Sequence, residues 1–154
     1  MRRRLFFFAL LLALLTVLAS SQQLTVQTEA GKQTVLTRSD IDALPHVKVV
    51  AGSANMAATF EGIPLKAVLE KAGVTLGETL KGKRMASCLL VEAADDYHVV
   101  IALPELDPAF TDKQIVLAFA RDGKEGPYRL VIPDEKRMAR WVKQVTTLKI
   151  VDVQ

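Results

Sequence analysis

The clearest helix of this chain is short. Leu65, Val68, Leu69 and Ala72 recur at the i, i+3, i+4, i+7 spacing that lines one helical face. Pro64 suits the first helical position and Gly73 the left-handed stop, so a helix is expected over residues 64–72. Ile63 is a poor N-cap, which leaves tertiary packing to hold that end. Burying Leu65, Val68 and Leu69 contributes about 1.5–3 kcal/mol each. A helix this short docks on a sheet.

The rest of the chain reads mostly as strand-length segments. Leu24 and Val26 alternate with polar neighbours over 23–28, Gly31 marks a turn, and 34–36 returns as a short strand. Thr37-Arg-Ser-Asp40 has the form of a capping box, starting a short helix with Ile41 and Leu44 that Pro45 ends. Residues 85–93 and 97–103 flank a hairpin turn at 94–96, and 103–108 reads as a helical turn. The continuously apolar run 115–120 fits a strand covered on both faces. A turn at 121–124, a strand at 128–132 stopped by Pro133, and a closing strand at 148–153 complete the pattern. Strands outnumber helices, so the expected class is α+β, with a β-rich core and a few short helices.

The N-terminus has another purpose. Arg2, Arg3 and Arg4 precede an apolar run over 5–18, followed by Ala19, Ser20 and Ser21, which is the order of a secretory leader. The run falls short of the roughly 20 residues that span a bilayer. Cleavage after Ser21 makes 1–21 a signal peptide and 22–154 a single exported domain, periplasmic or secreted. Of 20 Lys and Arg, three sit in the leader, and the remaining 17 balance 17 Asp and Glu. A neutral domain argues against nucleic acid as a partner, and leader removal leaves no membrane anchor. Cys88 is the only cysteine, so no internal disulfide forms, and one Cys with two His makes a closed zinc site improbable.

Several pieces recur in a recognisable order: Phe60-Glu-Gly-Ile-Pro-Leu65, Leu69-Glu-Lys-Ala-Gly-Val74, Ala94-Asp-Asp-Tyr97, Leu117-Ala-Phe-Ala-Arg-Asp-Gly123, Gly126-Pro-Tyr-Arg-Leu-Val-Ile-Pro133 and Arg140-Trp-Val-Lys143. Over roughly 34–153 they resemble the molybdopterin-binding domain of the sulfite-oxidase-like oxidoreductases, in the small exported form that consists of this domain alone. The resemblance implies molybdopterin as a possible cofactor, with a cysteine thiolate binding molybdenum shortly before the Gly-x-Pro-Leu segment. Here residues 46–60 hold no Cys. Neither Ser53 nor Asn55 replaces a soft, charge-donating thiolate. Cys88 lies well beyond the helix among Ala86, Leu89, Leu90 and Val91, where burial would quiet it.

The resemblance also implies that Arg129, Arg140 and Trp141 face a cofactor or its phosphate, with Lys136 and Arg137 widening an anion site. Guanidinium suits phosphate because it donates paired hydrogen bonds and keeps its charge. The competing reading makes both arginines ion-pair partners of the acids, and Trp141 and Tyr128 packing anchors. Asp96 stands where the family commonly has Gly, a change the turn can survive because Asp tolerates positive φ. Asp95 and Asp96 read as turn residues rather than an acid–base pair, and His46 and His98 as structural or solvent-facing. No catalytic residue and no metal ligand is assigned. The leading expectation is an exported family member without molybdenum catalysis that binds a small anion, a pterin-like ligand or a partner protein. The alternatives are an active oxidoreductase holding its cofactor through Arg129, Arg140 and backbone donors, and a structural partner of an exported redox protein. Met56 or Phe60 is expected to fill part of the cleft near Ala51, Arg129 and Arg140.

Overall fold

A computed structural model describes residues 23–53, 56–120 and 126–153; the expected leader and the turn at 121–124 lie outside them. Nine strands form two sheets. The first is built from β1 (Leu24–Gln27), β2 (Gln33–Leu36), β5 (Cys88–Ala93), β6 (His98–Ala102) and β9 (Val145–Val151), in the order β2-β1-β9-β5-β6. The second holds β3 (Val47–Ala51), β4 (Ala58–Pro64), β7 (Val116–Phe119) and β8 (Tyr128–Val131), in the order β3-β4-β7-β8. Two short helices, α1 (Arg38–Asp42) and α2 (Leu65–Lys71), and four 3-10 turns complete the described elements, in keeping with the α+β expectation.

Each helix begins and ends for a visible reason. Thr37 and Asp40 form the reciprocal capping box at the start of α1. Pro64 offers α2 no side-chain cap, and the amide of Leu65 instead donates to the Ile115 carbonyl at 2.9 Å. Tertiary structure thus holds the end that the sequence leaves uncapped. Gly73 (φ 93°) stops α2, while the Val74 amide bonds back to Leu69.

One apolar cluster joins both sheets and α2, with Leu24, Ile63, Leu65, Leu89, Leu117, Leu130 and Leu148 fully buried. The first and last strands pair in parallel at the middle of the larger sheet, Val26 beside Leu148. The strand expected from 85 begins only at Cys88, because 82–86 winds into a 3-10 turn. The closing strand starts earlier than expected, at Val145, where a bulge at Glu92/Ala93 keeps it paired with β5. The β3–β4 hairpin was not foreseen. At the β5–β6 turn Asp96 takes φ 65°, the conformation the family's Gly would supply.

Candidate functional site

The smaller sheet sets the site. Val49 faces Phe60 across β3–β4, while Gly62 pairs with Ala118 and Ala118 with Arg129. Paired residues share a face, as do residues two apart, so Phe60, Gly62, Ala118 and Arg129 point the same way. The two small residues between them let Arg129 reach back across the sheet toward Phe60. Its guanidinium carbon sits 5.7 Å from the Phe60 ring centre and 5.4 Å from that of Trp141. The rings meet edge to face at 5.4 Å. Each contact is a cation–π interaction, worth about 0.5–2 kcal/mol depending on solvation.

Trp141 is fixed from behind. Its indole N–H donates to the Ile132 carbonyl at 3.0 Å, and the Leu130 amide donates to the Val142 carbonyl at 2.8 Å, sealing the outer edge of β8. Trp141 is buried and works as a wall. Phe60 fills part of this region, as expected, whereas Met56 does not: it is 67% exposed.

Arg140 is clamped by carboxylates. Its Nε donates to Glu135 Oε1 at 2.7 Å and its Nη2 to the same oxygen, while Nη1 and Nη2 each reach Glu105 at 3.4 Å. Glu105 also accepts from the Ala102 amide and lies 3.6 Å from Lys113. Burial pushes the Glu105 carboxyl up, but the hydrogen bonds and charge of Arg140 outweigh it and hold it below the ordinary value. Burial likewise opposes the charge on Arg140, and the two carboxylates more than restore it. The open groove here, about 440 Å³, carries Lys113, Lys136, Arg137 and Arg140 against Asp134 and Glu135. Lys136 and Arg137 are exposed.

Cys88 is elsewhere. It is buried in β5 of the larger sheet, opposite Ala102 and Val151. Burial, and then the charge of Asp152, push its thiol up. The nearby cavity of about 510 Å³ is lined by Lys83, Arg84, Ala86, Asp152 and Val153, not by the thiol. Arg84 is itself held by Glu29 at 2.9 Å and by the Thr75 carbonyl at 2.8 Å.

The remaining candidates behave as scaffold. The His46 ring lies tilted against Phe119 at 5.3 Å and 3.2 Å from the Asp42 carbonyl, and His98 lies 3.0 Å from the Asp96 carbonyl. Asp95 accepts the Tyr97 amide within the turn. Sequence reasoning missed Glu105 and Glu135 as partners of Arg140. It also missed Asp107, a buried carboxylate that accepts from the Gly77 and Ala109 amides and from Lys66. Among the described residues no group of three or more His, Cys, Asp or Glu is placed to hold a metal ion.

Two sheets with few short helices make this a β-rich α+β domain. The chain belongs to the oxidoreductase molybdopterin-binding domain family, whose model matches residues 13–154. It is similar in structure to sulfane dehydrogenase SoxCD from Paracoccus pantotrophus, with a TM-score of 0.65 and 22% identity. That likeness covers 86% of this chain and 38% of the other, so this chain spans well under half of the protein it matches. No match was found among curated proteins.

The residues present do not fit the family's thiolate-held molybdenum. The only sulfur that could become a thiolate is Cys88, buried in the sheet that does not carry Arg129. β3 ends in Ala51, whose methyl group can donate nothing.

Proposed function

We propose that this protein is an exported, non-catalytic member of its family, which keeps the fold and binds a small anionic or pterin-like ligand, or a partner protein, without a molybdenum–thiolate centre. The position of Cys88, in β5 and away from the β3–β4 connection, carries this reading. A buried thiol of raised pKa is a poor metal ligand, because the thiolate is the binding form. Arg129 between two rings and Arg140 between two carboxylates are engaged within the protein, which weakens the case for a cofactor held by arginines alone. Lys136 and Arg137 are exposed at the rim of the Arg140 groove, where an anion would meet them first.

The test is metal analysis of the protein purified from a host that makes the molybdenum cofactor. Molybdenum far below one atom per chain is the expected result. Stoichiometric molybdenum overturns the reading.

A further inference from the structure

We propose that the outer edge of β6 pairs with the same strand of a second copy of this chain, antiparallel about Val100, joining two five-stranded sheets into one. β6 is a terminal strand with β5 on one side only. The Leu103 amide donates to the Ser87 carbonyl, and the Ala93 amide to the Tyr97 carbonyl. Antiparallel pairing alternates, so Val99 and Ile101 spend their backbone groups on β5, while His98 and Val100 turn theirs outward. The outward amide of Ala102 is taken by Glu105, which confines the open edge to the span from His98 to the Ala102 carbonyl.

Sheet edges are normally guarded by charge, proline or covering chain, and both edges of the smaller sheet follow that rule. β8 is closed by Val142, and β3 carries exposed Lys48. From 97 to 103 there is no Lys, Arg, Asp, Glu, Pro or Gly, and Val100 is 50% exposed.

The occupant that fits is a like strand. A two-fold through Val100 sets valine against valine and extends the pair Leu90–Val100 into a continuous apolar row on the outer face. It also places His98 opposite small Ala102, and no like charges meet. The 17 cations beyond the leader balance the 17 acids, so two copies approach without net repulsion. Stable interfaces bury about 1,200–2,000 Å² in total. A five-residue edge offers less, so the dimer forms and exchanges with concentration.

Sedimentation velocity from micromolar to millimolar protein tests this. The weight-average mass should climb toward twice the chain mass, and Val100→Lys should weaken association about tenfold or more. Val35→Lys, at an equally exposed valine on β2, should leave it unchanged. Hydrogen exchange on the unmutated protein gives a second readout that does not depend on any variant folding: the His98 and Val100 amides should slow as concentration rises. A monomer throughout, a dimer insensitive to Val100→Lys, or amide exchange at 98 and 100 that ignores concentration overturns the proposal.

Discussion

Gly62 lies against Ala118 so closely that a Cβ on Gly62 would stand 2.6 Å from the Ala118 Cα and 2.5 Å from the Leu117 carbonyl oxygen. These are backbone atoms of β7 and cannot swing aside. Gly62→Ala should therefore force β4 from β7 and destabilise the fold by about 1–3 kcal/mol. Thermal unfolding followed by circular dichroism measures it.

Asp107 gives the fold an acid limit. Hydrogen bonds from the Ala109 and Gly77 amides, with help from Lys66, outweigh its burial and hold the carboxyl below the ordinary range. The unfolded carboxyl titrates near about 3.9. Its contribution to stability is full above that value and is lost as pH falls through the lower folded one. Asp107→Asn should cost about 1–3 kcal/mol at neutral pH and flatten the acid side of a stability profile. An acid limb as steep as in the parent protein would remove Asp107 as its source.

Glu135 sets the charge that Arg140 can offer. Glu135→Gln takes away the closer of its two carboxylates. Titration calorimetry with inorganic phosphate should show binding tightened about fivefold, or about 1 kcal/mol. Arg140→Ala should weaken it instead.

Cys88 should be chemically quiet. It is 9% exposed, and burial raises its thiol pKa. A thiol-reactive chromophore at mildly alkaline pH should label it negligibly in the folded protein and fully in denaturant. Rapid labelling of the native state would show access that this packing does not provide.

Much of the fold was legible because its signals are local. Thr37 with Asp40 announces α1, the spacing of Leu65, Val68 and Leu69 gives α2, and Gly73 gives its stop. The β3–β4 hairpin escaped notice because β4 contains Ala58, Glu61, Gly62 and Pro64, all residue types depleted in strands. It is a strand by virtue of its neighbours, with β3 on one side and β7 on the other. The candidate site divides in the same way. The rings and arginines stand in sequence motifs, but Glu105 meets Arg140 across 35 residues, and Phe60 on β4 meets Trp141 at the end of a distant 3-10 turn. No local pattern encodes such meetings, and they decide whether a guanidinium is left to offer.

Val26 beside Leu148 also imposes an order of events on the growing polypeptide. The central strand of the larger sheet, β9, is made after both strands it pairs with, so β1 and β5 must wait, incompletely paired, until it emerges. Such long sequence separation slows folding. A chain stopped before β9 would lack a middle rather than an edge, and quality-control proteases should find it unfolded.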